Sequence, residues 1–139
     1  DAFVQRLYAL DRDFRDALAP LKGAAIITYH DAFPHLARRY GLRIAGVVEE
    51  TPEGPPGPRH LPKLRRIIQT QDVKAMVTDA EHPQKLAEQL AIDFGIRIAP
   101  LYMLENGDLS PAAYEDGMRK NLAILKNTLT ENASANARQ

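Results

Sequence analysis

The feature that most constrains the fold is the regular alternation of short apolar runs with longer amphipathic segments along the 139 residues. Four runs are too short for helices and are predominantly apolar, which is typical of strands buried on both faces of a sheet. We predict strands at residues 24–29, 43–48, 73–78 and 96–103. Segments with apolar residues three or four positions apart indicate amphipathic helices. The predicted helices cover residues 1–19, 31–40, 58–71, 82–94 and 110–129.

Strands that alternate with helices pair in parallel, because each helix carries the chain back to the starting edge of the sheet. Right-handed crossovers then place helices on both faces. We therefore predict an α/β fold, a doubly wound four-stranded parallel sheet flanked by helices. Residues 1–20 are predicted to form a separate leading helix, residues 21–131 the α/β lobe, and residues 132–139 a disordered polar tail.

Composition and motifs exclude several classes of protein. The 18 basic and 18 acidic residues cancel, so no electrostatic footprint for nucleic acid is predicted. Without cysteine the chain has no disulfide, thiolate ligand or cysteine nucleophile. No apolar run approaches the ~20 residues of a membrane span. The glycine-rich phosphate loops and the serine-hydrolase elbow are also absent, and we predict that the chain is not an enzyme.

Candidate ligands follow the strands, because a parallel sheet binds ligands at the carboxyl ends of its strands. Polar residues at these ends are His30, Glu49, Glu50, Asp79, Tyr102 and Glu105. One imidazole and several carboxylates at one edge could bind a divalent cation. On spacing alone, His30 equally fits a hydrogen-bonded structural residue. The Glu49–Glu50 pair precedes a proline-rich loop and is expected to be solvated.

The other histidines are weaker candidates. His35 lies five residues after His30, does not share a helix face with it, and is predicted to be solvated. His60 lies in the first turn of a predicted helix and is expected at the surface. His82 is explained by helix entry, although its nearness to Asp79 keeps it a possible ligand.

Three segments carry a resemblance to a known family. They are HDAFPHLARRYGLRIAGVVE at residues 30–49, PRHLPKLRRII at 58–68 and DAEHPQKLAEQLAIDFGIRIAPL at 79–101. Together they resemble the C-terminal lobe of the zinc/manganese solute-binding proteins of metal ABC transporters, the ZnuA/TroA-like family. The HDAF block is the most specific part. The opening segment, YALDRDFRDALAPL, resembles the end of the long helix that joins the two lobes in that family.

The resemblance implies a non-enzymatic protein that holds one metal ion between two lobes, with two ligands from each. It implies Zn²⁺, alternatively Mn²⁺ or Fe²⁺, as the ion. The implied partners are the missing N-terminal lobe and an ABC-transporter membrane permease, in a monomer that binds no nucleic acid. It also implies a periplasmic protein or a cell-surface lipoprotein. Because the chain opens inside a helical pattern, we expect its signal peptide to lie upstream.

The implied ligand set is only partly conventional. His30 matches the family's first C-lobe ligand. Tyr102 stands where the family has an aspartate, and a phenol with a pKa near ~10 is a poor zinc ligand at neutral pH. Asp79 and Glu105 are the carboxylates best placed to replace that aspartate.

Two other functions stay open at this point. An adhesion or interaction protein could keep the same scaffold with a degenerate metal site, and the tyrosine at position 102 favours it. A flavodoxin-like signalling or enzymatic domain would share the fold class. It is disfavoured because the acidic cluster and phosphate loops that would support it are missing.

Overall fold

A computed structural model describes residues 1–50, 55–105, 107 and 109–136, with side chains of the last helix described through residue 130. The elements, in chain order, are α1 (Ala2–Leu18), a 3₁₀ turn (Ala19–Leu21), β1 (Ala25–His30), α2 (Pro34–Tyr40), β2 (Arg43–Glu49), α3 (His60–Thr70), β3 (Val73–Asp79), α4 (Lys85–Phe94), β4 (Arg97–Leu101) and α5 (Ala113–Asn136). No helix in these described ranges is both long enough and apolar enough to cross a membrane.

The four strands form one parallel sheet in the order β2-β1-β3-β4. From β1 the chain moves outward to β2, then returns to the other side of β1 for β3 and continues to β4. The strand order therefore reverses between β1 and β3. In open α/β sheets this reversal opens a crevice at the carboxyl ends of the strands. The predicted fold class is confirmed.

Helices cover both faces of the sheet, which explains why the strands are predominantly apolar. Ile26 of β1 packs in a core with α1, α2 and α5. Its neighbour Ile27 packs on the opposite face, in a core with α3 and α4. Successive side chains of a strand point to opposite faces, so both faces of β1 must be apolar.

Helix α1 is packed into the lobe over its second half. Leu10, Phe14 and Leu18 are buried in the core shared with α2 and α5. On the surface, the Asp11 carboxylate accepts a hydrogen bond of 2.7 Å from Arg39 Nε and one of 2.9 Å from Tyr40 Oη. The bond from Arg39 is the largest cause that holds the pKa of Asp11 below its ordinary value. These hydrogen bonds connect α1 to α2, the helix that follows His30 in the sequence.

Glycines end two helices as the sequence indicates. Gly41 follows α2 with φ of 76° and Gly95 follows α4 with φ of 67°. In this left-handed region a glycine avoids the clash that a Cβ atom would make.

Several helix starts differ from the predicted ones. Asp31 does not cap α2, which begins at Pro34 after Phe33. Proline is favoured at the first helical position because it has no N–H to leave unpaired, and it sets the start three residues later than predicted. Helix α4 begins at Lys85, because His82 instead turns back toward Asp79.

The end of the chain also differs from the predicted boundaries. Helix α5 begins at Ala113 and continues to Asn136, beyond the predicted end at residue 129. The first five residues of the predicted disordered tail are therefore helical. Residues 137–139 of that tail, and residues 51–54 of the proline-rich loop, lie outside the described residues.

The close approach of Gly46 in β2 to helix α3 gives a stability prediction. A Cβ atom on Gly46 would lie 2.8 Å from Cδ2 of Leu64, which is fully buried. We expect Gly46→Ala to lower the free energy of unfolding by about 1–3 kcal/mol, the usual range for overpacking. Gly57→Ala is the control, since a Cβ there meets nothing within 4 Å. Urea denaturation measures both variants, and equal stabilities would contradict the packing described here.

Candidate metal centre

Three titratable residues end three neighbouring strands at the same edge of the sheet. His30 is the last residue of β1, Glu49 of β2 and Asp79 of β3. The parallel register pairs His30 directly with Glu49. The strand order places β1 between the other two strands, so His30 lies between the two carboxylates in that order.

Glu49 is held by two aromatic residues. Its Oε2 lies 3.1 Å from Nδ1 of His30. Its Oε1 accepts a hydrogen bond of 3.2 Å from Tyr29 Oη. Only 18% of the Glu49 side chain is exposed, so the prediction of a solvated edge is wrong for this residue. Burial, followed by the negative charge of Glu49, raises the pKa of Tyr29.

Asp79 has both carboxylate oxygens occupied. Oδ1 accepts a hydrogen bond of 2.9 Å from the backbone N–H of Glu81, and Oδ2 lies 3.0 Å from Nδ1 of His82. Burial raises the pKa of Asp79, but the bonds from His82 and Glu81 outweigh it and leave that pKa below its ordinary value. The hydrogen bond between His82 and Asp79 also raises the pKa of His82. A cation that binds Asp79 through Oδ2 would share that oxygen with His82.

A cavity of about 190 Å³ opens where the strand order reverses, between the ends of β1 and β3. Its lining consists of His30, Ala32, Phe33, Val77, Thr78, Asp79 and Met103. The cavity thus brings together His30 and Asp79, two of the four predicted ligands. An imidazole and a carboxylate on one small cavity are groups that could share a divalent cation.

Tyr102 and Glu105, the other two predicted ligands, line a separate cavity of about 570 Å³ beside α5. The backbone N–H of Tyr102 donates a 2.8 Å hydrogen bond to Asn121 Oδ1, and its carbonyl accepts one of 2.9 Å from Asn121 Nδ2. Nζ of Lys120 lies 5.9 Å from the centre of the Tyr102 ring. These contacts end β4 at Leu101, two residues before the predicted end.

Met103 is the residue after β4 that lines the cavity of His30 and Asp79. Sequence reasoning missed it, because a methionine after an apolar strand looks like part of the core. A thioether is a weak, soft donor that suits Cu⁺ better than Zn²⁺. Met103 therefore gives the cavity of His30 and Asp79 no oxygen ligand.

The remaining histidines lie away from the cavity. His60 is a structural residue, since Nε2 lies 2.7 Å from the carbonyl oxygen of Val47 and only 17% of its side chain is exposed. His35 is exposed on α2. Among the described residues, no three His, Asp or Glu side chains are grouped closely enough to hold a metal ion. His30 and Asp79 would therefore supply part of a coordination sphere.

The comparison with protein families decides the relationship. The ZnuA family, described as zinc-uptake complex component A, periplasmic, matches residues 1–128 of the chain. The chain belongs to the ZnuA family. The family resemblance inferred from the sequence motifs is confirmed.

Individual ZnuA-like relatives agree with this assignment. The zinc-binding protein AdcA of Streptococcus pyogenes is 29% identical over 132 residues, which cover 91% of this chain and 25% of AdcA. The solute-binding protein FpvC of Pseudomonas aeruginosa, solved in complex with Mn²⁺, is 28% identical with a TM-score of 0.78. That match covers 94% of this chain and 48% of FpvC.

A third relative carries a second activity in its description. The laminin-binding protein Lmb of Streptococcus agalactiae is described as bifunctional, with adhesin and metal transporting activity. It is 25% identical with a TM-score of 0.73, over 92% of this chain and 50% of Lmb. This chain spans about a quarter of the length of AdcA and about half of FpvC and Lmb.

The ion pair of Asp79 and His82 predicts a pH-dependent stability. The raised pKa of His82 gives stability that is complete below its ordinary value of 6.5 and is lost as the pH rises through the raised value. The lowered pKa of Asp79 gives stability that is complete above 3.8 and is lost as the pH falls through the lowered value. The pair thus contributes most between these two ordinary values.

We expect His82→Ala to lower the melting temperature of the metal-free chain more at about pH 5 than at about pH 9. The effect is small because 62% of the His82 side chain is exposed. His35→Ala, at an exposed histidine of α2, is the control and should show no such contrast. Thermal unfolding followed by circular dichroism measures it, and an equal loss at both pH values would contradict the pairing.

Proposed function

We propose that the chain is the C-terminal lobe of an extracytoplasmic solute-binding protein that binds a divalent metal ion between two lobes and delivers it to an ABC permease. The observation that carries this proposal is the pair of His30 and Asp79 on one cavity at the reversal of strand order. An ion held at the carboxyl ends of the strands would stay accessible to a second lobe that faces this edge of the sheet.

Zn²⁺ is the proposed ion. Imidazole and carboxylate are common zinc ligands, and zinc sites are usually four-coordinate. The ZnuA family is described as a zinc-uptake component, and AdcA is named a zinc-binding protein. Mn²⁺ and Fe²⁺ are the alternatives, since FpvC was solved with Mn²⁺ and both ions accept the same donor types.

The rest of the coordination sphere must come from outside the His30–Asp79 cavity. This chain spans about half the length of FpvC, and we propose that an N-terminal lobe supplies the other ligands. In this arrangement residues 1–20 end the helix between the lobes and residues 21–131 form the C-terminal lobe. Tyr102 and Glu105 line the neighbouring cavity and would reach the ion only from its other side.

The proposed protein is a carrier and not an enzyme. It works as a monomer, binds no nucleic acid, and resides in the periplasm or on the cell surface as a lipoprotein. The periplasmic description of the ZnuA family supports this location. The membrane permease is its partner, because an ion held in an exposed cleft is suited to transfer by opening of the two lobes.

An adhesion function on the same scaffold is the second candidate. Tyr102, Tyr114 and Leu109 are exposed around the cavity of about 570 Å³, and exposed aromatic residues are frequent at protein interfaces. Lmb, with the same fold, is described as both an adhesin and a metal transporter. This candidate requires no change in the metal cavity and is compatible with a weakened one.

Removing the imidazole tests the metal-binding proposal. We expect His30→Ala in the full two-lobed protein to weaken zinc binding by about 100-fold or more, which is roughly 3 kcal/mol. His35→Ala is the matched control, since His35 is exposed on α2 outside the small cavity. Competition titration against a chelating dye measures both. Unchanged affinity in His30→Ala would leave adhesion as the better function.

Carboxylates placed separately at positions 102 and 103 test which of the two residues after β4 faces the ion. Met103 lines the cavity of His30, whereas Tyr102 lines the neighbouring one. We expect Met103→Asp to raise the zinc affinity of the two-lobed protein, because it adds an oxygen ligand to the cavity. Tyr102→Asp should change the affinity less. The opposite order would show that position 102 faces the ion.

A further inference from the structure

We infer that Glu49 is a positioning residue for His30: its carboxylate holds the Nδ1–H group, leaves Nε2 as the atom that binds the metal, and is itself held by Tyr29. This inference rests on the proposed metal-binding function of His30. It assigns a role to the end of β2, a strand from which no metal ligand is predicted. The metal is the cargo, and Glu49 acts on it only through the imidazole ring.

The proton on His30 follows from the chemistry of its neighbour. A carboxylate presents only lone pairs, so the ion-pair contact of 3.1 Å between Glu49 Oε2 and Nδ1 favours the tautomer of His30 that carries its proton on Nδ1. A neutral imidazole carries one N–H, and Nε2 then has a free lone pair. Metal-bound histidines commonly donate their other N–H to a carboxylate, which fixes the tautomer and raises the basicity of the ligand atom.

The position of the Glu49 carboxylate is fixed from a second direction. Oη of Tyr29 donates to Oε1 at 3.2 Å, so both carboxylate oxygens are engaged. The Tyr29 ring is 2% exposed and packs in the core against α3 and α4. A ring in that core has little freedom to swing, and the hydroxyl that it presents to Glu49 stays in place.

The backbone around Glu49 is also restrained. Glu49 is the last residue of β2 and pairs with His30 in the sheet. Two residues earlier, the carbonyl of Val47 lies 2.7 Å from Nε2 of His60, which connects β2 to the start of α3. The end of β2 is therefore held on both sides, by β1 and by the start of α3.

The plane of the imidazole is restrained by the adjacent aromatic ring. The rings of Tyr29 and His30 meet edge to face, with centres 4.8 Å apart and planes at 87°. The contact with Glu49 at Nδ1 and this edge-to-face contact together limit rotation about the Cβ–Cγ bond. Such orientation reduces the ordering that metal binding would otherwise require.

A direct role for Glu49 as a ligand predicts different results. Two ligands of one ion can also lie about 3 Å apart, at a zinc-to-ligand distance of about 2 Å. Each oxygen of Glu49 keeps a second lone pair, so coordination would add a bond to the ion without breaking these contacts. The positioning role requires only an acceptor at this position, and the Glu49→Gln variant separates the two roles by experiment.

The tautomer is measured directly in the two-lobed protein, stripped of metal and labelled with ¹⁵N in the histidine rings. We expect the His30 signal, identified by its loss in His30→Gln, to show a protonated Nδ1 and an unprotonated Nε2. Glu49→Ala should shift His30 toward the Nε2–H form, and Glu49→Gln should preserve the wild-type form, because its amide oxygen also accepts from Nδ1–H. Glu50→Ala is the matched control. An Nε2–H tautomer in the wild type, or no shift in Glu49→Ala, would overturn the inference.

Zinc affinity of the same variants, with Zn²⁺ alone as the probe, separates positioning from coordination. We expect Glu49→Ala to weaken binding about 10- to 100-fold, the usual cost of losing an outer-shell partner. Glu49→Gln should retain most of the affinity, and Tyr29→Phe should lose less than Glu49→Ala. A loss in Glu49→Gln as large as in Glu49→Ala would make Glu49 a ligand and overturn the positioning role.

The two proposals fail in distinguishable ways. If His30→Ala leaves zinc affinity unchanged, the metal-binding function of His30 fails whatever the tautomer. If His30→Ala abolishes binding but Glu49→Ala changes neither tautomer nor affinity, only the role of Glu49 fails. Circular dichroism of each variant confirms that the fold is retained.

Discussion

The central position of β1, hydrogen-bonded to β2 on one side and to β3 on the other, is the constraint on which the candidate site depends. Because all strands are parallel, their carboxyl ends lie at one edge. His30 is therefore placed between the strands that carry Glu49 and Asp79. The small cavity lies where the strand order reverses, as is common in open α/β sheets.

The two carboxylates beside His30 have different partners and therefore different roles. Glu49 is in contact with Tyr29 Oη and with Nδ1 of His30. Asp79 is engaged by His82 and by a backbone N–H. In the proposed site Glu49 would orient His30, whereas Asp79 would share its Oδ2 oxygen between His82 and the ion.

Much of the fold was predictable because its signals are local. Short, predominantly apolar runs identified four strands, and Gly41 and Gly95 marked two helix ends through their backbone conformation. The predicted cap at Asp31 was wrong, because Pro34, three residues later, occupies the first position of α2. The positions of Glu49 and Met103 also escaped prediction. A glutamate after a strand is typical of a solvated edge, and a methionine after an apolar strand is typical of a core.

The sequence by itself determined the α/β class, the family and the placement of His30 and Asp79 at strand ends, because periodicity and motif are properties of neighbouring residues. Only the tertiary structure decided which strand ends adjoin. It joined His30 to Asp79 on one cavity and moved Tyr102 and Glu105 to another. The physical reason is that both features depend on residues far apart in sequence. The strand order comes from pairing between distant strands, and the Asn121 side chain forms two hydrogen bonds with the backbone of Tyr102. No local sequence pattern encodes such contacts.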